Sequence, residues 1–235
     1  MTKTARRLSM LAGALVFLLS HVAAFAQAPP ASGPGSAMQP GEAFVTRFSG
    51  IRPGPSPTLD PDGIVGSITD IRKPGQPAQG QHWLNEPQRA FVKAREVGQV
   101  FGVALDNANP PNIYITATAA FGLHRTADNR AWMPGMWGAG GGPGTIYKLS
   151  AANGYKPAVF SNVTLDGREN TGAALGNIAY DQWHDQLLVT DLETGMIHRI
   201  AIADGKDLGR FDHGVEGRGT YFDTEKASPS TLPSV

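Results

Sequence analysis

Short apolar runs, broken by Asp, Asn, Gly and Pro, follow one another along the chain from Phe44 onward. Phe44, Val45, Phe48 and Ile51 predict a short strand that Pro53, Pro55 and Pro57 interrupt. Ile64-Val65, Ile68 and Ile71 predict a second, entered from the turn Asp60-Pro61-Asp62-Gly63 and left at Pro74-Gly75. Between Asn85 and Gly98 two readings stand. A cap, an early proline, the spacing of Phe91, Ala94 and Val97 and a closing glycine describe a short helix, whereas Phe91-Val92 and Val97 suit a strand.

From Val100 the pattern repeats. Gly102-Val103-Ala104-Leu105-Asp106 returns as Gly176-Asn177-Ile178-Ala179-Tyr180-Asp181, and Asn112-Ile113-Tyr114-Ile115-Thr116 returns as Gln186-Leu187-Leu188-Val189-Thr190. Ile146-Tyr147-Lys148-Leu149 returns as Ile197-His198-Arg199-Ile200, followed by Gly154 as Gly205 and Phe160 as Phe211. The offset is 75 at Asp106, 73 at Gly122 and 51 from Ile146 onward. The drop of 22 equals the length of Leu123–Gly144, so one copy is plain and the other carries a single glycine-rich insertion. Each copy holds four β-runs separated by turn residues, and four strands in about 40 residues is the arithmetic of a propeller blade.

The phrase Leu188-Val189-Thr190-Asp191-Leu192-Glu193-Thr194-Gly195-Met196-Ile197-His198-Arg199-Ile200, with Asp204-Gly205 after it, resembles NHL-type and SMP-30/gluconolactonase-type β-propeller repeats. The resemblance spans roughly residues 100–213 and implies a fold. It does not extend to the gluconolactonase metal site: Asn85-Glu86-Pro87 lacks the glycine of the Glu-Gly-Pro setting, so no lactonase chemistry is carried over. Two blades are recognisable where a closed ring needs about four to eight. The expected architecture is therefore all-β, a partial or open β-propeller of four-stranded antiparallel blades.

The N-terminus changes the picture of compartment. Lys3, Arg6 and Arg7 precede an apolar run from Leu8 to Leu19, and Ala24-Phe25-Ala26 supplies small residues at both ends of a cleavage site. That order predicts a signal peptide over 1–26, cleaved after Ala26, and a periplasmic or secreted protein with no stable membrane span after cleavage. The rival reading is an uncleaved membrane anchor, for which the apolar run of about a dozen residues is short of the roughly 20 that span a bilayer. Residues 27–43 are rich in Ala, Pro, Gly and Ser and predict a flexible linker. Residues 44–99 predict irregular strands forming a partial blade or a short helix. Two blades occupy 100–222 with the insertion at 123–144, and 223–235 is a polar, proline-broken tail predicted to be disordered.

Composition then narrows the chemistry. With 20 basic against 20 acidic residues there is no polybasic footprint for nucleic acid. The absence of cysteine removes disulfides, thiolate metal sites and cysteine nucleophiles. Asp106 and Asp181 end the innermost strand of each blade, where a carboxylate ring could hold Ca²⁺ or a ligand; the alternative is an Asx-turn in which each carboxylate bonds its own backbone. Asp191 invites the same turn reading. Trp132 and Trp137, on an insertion read as a mobile loop, could stack on a sugar or a partner protein, or could cover a blade edge. The six histidines show no metalloprotease spacing, and no Gly-x-Ser-x-Gly elbow occurs. The expectation is an exported binding or scaffold protein with no catalytic motif and no resident cofactor, engaging a protein, small-molecule or carbohydrate ligand and able to self-associate through exposed blade faces. The alternative is a metal-dependent lactonase acting at a channel mouth.

Overall fold

A computed structural model of the chain describes residues 37–73, 87–119 and 122–212. The expected signal peptide with its Ala26 cleavage site, the expected linker up to residue 36, the Asn85-Glu86 cap and everything after Asp212 lie outside the described residues.

The described residues are all-β, built on antiparallel sheets, none of them closed on itself. The first sheet has three strands in the order β1 (Glu42–Thr46), β4 (Ile64–Asp70) and β5 (Gln88–Lys93). A two-stranded hairpin, β2 (Ile51–Arg52) with β3 (Thr58–Leu59), lies between β1 and β4 in sequence. The helix and strand readings of residues 85–98 share the segment: β5 runs into a single helical turn, α1 (Ala94–Val97), which Gly98 ends at φ +73°. The two complete sheets are four-stranded meanders. The middle sheet runs β6 (Val100–Leu105), β7 (Ile113–Ala117), β8 (Thr145–Leu149), β9 (Pro157–Asn162). After a small hairpin of β10 (Thr164–Leu165) and β11 (Arg168–Glu169), the third runs β12 (Leu175–Asp181), β13 (Gln186–Asp191), β14 (Met196–Ala201), β15 (Asp207–Asp212).

The repeat is visible in the register. Ala104 pairs with Tyr114 and Thr116 with Ile146 in the middle sheet, as Ala179 pairs with Leu188 and Thr190 with Ile197 in the third. The segment absent from the plain copy joins β7 to β8.

The sheets stack, and β7 is buried along its whole length because it is covered on both sides. Ile113, Ile115 and Ala117 pack with Tyr147 and Leu149 against Phe44, Ile68 and Val92 of the first sheet. From the other face, Tyr114, Ala104 and Ile146 meet Leu175, Ile178, Leu187, Val189 and Ile200 of the third. Burial on both faces also explains why polar alternation is missing from β7. β6 and β12 approach closely at Gly102, where a Cβ would lie 2.8 Å from the Gly176 carbonyl oxygen.

One boundary is corrected. The linker predicted over 27–43 already contributes Glu42 and Ala43 to β1, and Met38 is tied down: its N–H donates to the Tyr155 hydroxyl at 2.9 Å and its side chain packs on the core. At the start of β1, Glu42 is ion-paired with Arg89 at 2.6 Å, both side chains buried.

Candidate functional site

Asp106 and Asp181 sit at corresponding turns, one between β6 and β7, the other at the end of β12. Asp106 accepts the backbone N–H groups of Ala108 (3.2 Å) and Asn112 (2.8 Å), the Asn112 side-chain amide (2.7 Å) and the Tyr114 hydroxyl (3.2 Å). Asp181 accepts the Trp183 N–H at 3.0 Å and the Gln186 side-chain amide at 2.9 Å, with His184 Nδ1 at 2.7 Å. Each carboxylate is thus occupied by its own turn, the Asx-turn arrangement. The Gln186 amide, then His184, hold the Asp181 carboxyl at about 2, well below the ordinary carboxylate range. Among the described residues no group of three or more His, Asp or Glu is placed to hold a metal ion.

These turns nevertheless form a polar, aromatic-bearing edge. The Tyr180 hydroxyl donates to Asp185 at 2.8 Å, which raises the phenol above its ordinary value, and Asp106 adds to that shift. Burial, then the charge of Asp106, raises Tyr114 as well, with Asp185 contributing. The two turns therefore share one electrostatic environment. At its rim stands Trp183, 86% exposed, beside the exposed His184. The side-chain bonds of Asp181 fix the backbone that carries this indole, so the ring is presented from a constrained turn. Sequence reasoning missed Trp183; the signal available was an indole inside the short polar turn Asp181-Gln182-Trp183-His184-Asp185, which has no inward-facing strand position to offer it.

Trp132 and Trp137 are placed differently. Their rings meet edge-to-face at 6.4 Å, the Arg125 guanidinium lies 4.6 Å from the Trp132 ring, and both indoles pack on the buried cluster of Leu59, Ala119, Met136 and Ala174. Backbone bonds lock the segment down: Gln99 donates to Met136, Leu59 to Pro134 and Ala139 to Arg95. Glycine here serves close approach rather than flexibility. A Cβ on Gly98 would lie 2.3 Å from the Met136 carbonyl oxygen, and one on Gly138 would lie 2.4 Å from Val97 Cα. The two tryptophans are half-buried wall.

A second polar cluster lies at the β13–β14 turn. Asp191 accepts the Asn170 amide (2.9 Å), the Glu193 N–H (3.1 Å) and the Thr194 hydroxyl (2.6 Å). Glu193 is buried and accepts both the N–H and the hydroxyl of Thr171; burial raises its pKa. Buried His198 pairs through Nδ1 with Asp207 at 2.7 Å, while its Nε2 lies 3.9 Å from Asp191 with no hydrogen bond. Nearby, a groove of about 270 Å³ runs between the glycine-rich return 140–144 and Glu169 and Asn170. The buried acids accept from their own turn and from Asn170 and Thr171, so this cluster ties the β13–β14 turn to the segment before β12.

No family model, curated protein or solved structure matches this chain. Among the described residues, no helix is long and apolar enough to cross a membrane.

Proposed function

We propose that this chain is an exported, propeller-type binding or scaffold module that takes its ligand on the edge formed by the Asp106 and Asp181 turns. Three antiparallel sheets stacked face to face, two of them register-matched four-stranded meanders, support the propeller reading. The observation that carries the binding reading is Trp183. Burying a large apolar side chain is worth about 1.5–3 kcal/mol, and here an indole stands in water on a turn already fixed by Asp181. An aromatic face beside His184 and the Asp185–Tyr180 pair offers a stacking surface with hydrogen-bonding groups at its border, the chemistry that suits a saccharide ring. A gluconolactonase-type reaction would require a convergent ligand set, and the described residues supply no observation in its favour.

Titration of the protein with a panel of saccharides, followed by tryptophan emission and calorimetry, tests this reading. The expected result is saturable binding that Trp183→Ala abolishes while far-UV circular dichroism is unchanged. Binding that is indifferent to that substitution, or no saccharide binding at all, would overturn it.

A further inference from the structure

We propose that Asp191, His198 and Asp207 form a proton-operated latch across the third sheet, in which a second proton on His198 closes its ring onto Asp191 and ties the β13–β14 turn to β15. His198 is fully buried in the middle of β14, on the face it shares with its cross-strand neighbour Val189. Its Nδ1 lies 2.7 Å from a carboxylate oxygen of Asp207 on β15. A carboxylate only accepts, so Nδ1 carries a proton. Nε2 lies 3.9 Å from Asp191 Oδ2 on β13 and is buried without a hydrogen-bond partner. A neutral ring therefore sets the Nε2 lone pair against an anion, acceptor against acceptor. An imidazolium sets an N–H against the same oxygen, and a closure of about 1 Å makes a charge-assisted hydrogen bond. Asp191 can take it: the Thr194 hydroxyl occupies one position on Oδ2, at 2.6 Å, and a carboxylate oxygen offers two.

The charges around the ring leave this role to His198. β15 presents Asp207, Asp212 opposite Met196, and Arg210 opposite His198 itself, whose guanidinium turns to Asp166 at 3.0 Å. The β13–β14 turn presents Glu193, held by Thr171. Arg168 and Glu169 of β11 line the small cavity beside Asp191 and Glu193. From the middle sheet comes Lys148, whose ammonium lies 5.5 Å from the Tyr114 and Phe160 rings, and β12 adds the apolar Leu175 and Ile178. Among the described residues neither Asp191 nor Asp207 is ion-paired with a lysine or arginine, so His198 is the cation open to both. The latch also joins strands that backbone pairing does not, because β14 separates β13 from β15. Through the bond from Asn170 to Asp191 it reaches the segment that enters β12. It sits at the far end of β13 from the Asp181 turn, so it does not rest on the ligand reading and either can fail alone.

Ring-nitrogen NMR of the full chain at about pH 5 and about pH 8.5, either side of the ordinary imidazole value near 6.5, tests the latch, together with crystal structures under the same two conditions. At the lower pH, Nε2 should be protonated and its distance to Asp191 should fall below about 3.2 Å. At the higher pH, Nε2 should carry its lone pair and the gap should stay open. Amide exchange in the β13–β14 turn, corrected for the intrinsic rate, should be about tenfold slower at the lower pH. His198→Gln should remove that difference. Asp207→Asn keeps an acceptor for Nδ1 on a part-exposed side chain, so the fold is retained, and it should reduce the difference. Glu193→Gln should leave the ring protonation and the shortening in place, which separates the latch from the titration of that buried acid. A ring with the same protons under both conditions, or a gap that does not change, would overturn the proposal. So would an ordered water filling the gap at the lower pH, or turn exchange that keeps its pH difference in His198→Gln.

Discussion

The Thr116 hydroxyl bridges two sheets, accepting the N–H of Gly102 at 3.1 Å and donating to the carbonyl of Gly176 at 2.8 Å. All three groups are buried. Thr116→Val keeps the shape and strands both backbone partners, and an unsatisfied buried group costs about 1–3 kcal/mol. The urea midpoint should fall accordingly. Thr190→Val, whose hydroxyl bonds only to Asn177 on an uncovered face, should change stability by less than about 0.5 kcal/mol.

The insertion should prove necessary to the fold. Replacing residues 123–144 with a tight turn removes Met136 and both half-buried indoles from Leu59, Ala119 and Ala174. Losses of this kind cost about 3–5 kcal/mol, and thermal unfolding should show a large drop with loss of a single cooperative transition.

Within that segment the glycines should separate by space rather than by type. Gly138→Ala forces a Cβ to within 2.4 Å of the α1 backbone and should destabilise by about 1–3 kcal/mol. Gly142→Ala meets nothing within 4 Å and should be neutral. Denaturant unfolding of the two variants, side by side, checks this.

Two acids should act on stability with opposite sign. The folded-state pKa of Asp181 is depressed to about 2, so its contribution is present above the unfolded value near 4 and is lost as pH falls through about 2. That of Glu193 is raised by burial, so the folded state holds its proton more tightly, and stability is lost as pH rises through that raised value. Unfolding measured from pH 2 to 8 should therefore show Asp181→Asn flattening the acid limb and Glu193→Gln flattening the limb above the ordinary glutamate range.

The all-β character and the four-stranded sheets were legible because the same turn residues and β-runs recur at fixed offsets: Thr116 and Thr190, Ile146 and Ile197 occupy matching register positions. What composition hid was the use of glycine. Gly98 and Gly138 look like flexibility in a string, yet they let two backbones touch, a property of the partner segment that no local pattern carries. Met38 likewise gains its partner Tyr155 from far along the chain. The turn role of Asp106 and Asp181 could be weighed from their positions, whereas the exposure of Trp183 followed from a turn too short to fold an indole inward.

The meander pairing has a consequence for synthesis. Each strand from β6 to β9 and from β12 to β15 bonds to its neighbour in the chain, so every sheet can form as its own residues leave the ribosome, at about 5–20 residues per second. Such local pairing favours fast folding. The third sheet is completed last, so Tyr114, Ile146 and Ala104 of the middle sheet stay uncovered until β12 to β15 have emerged.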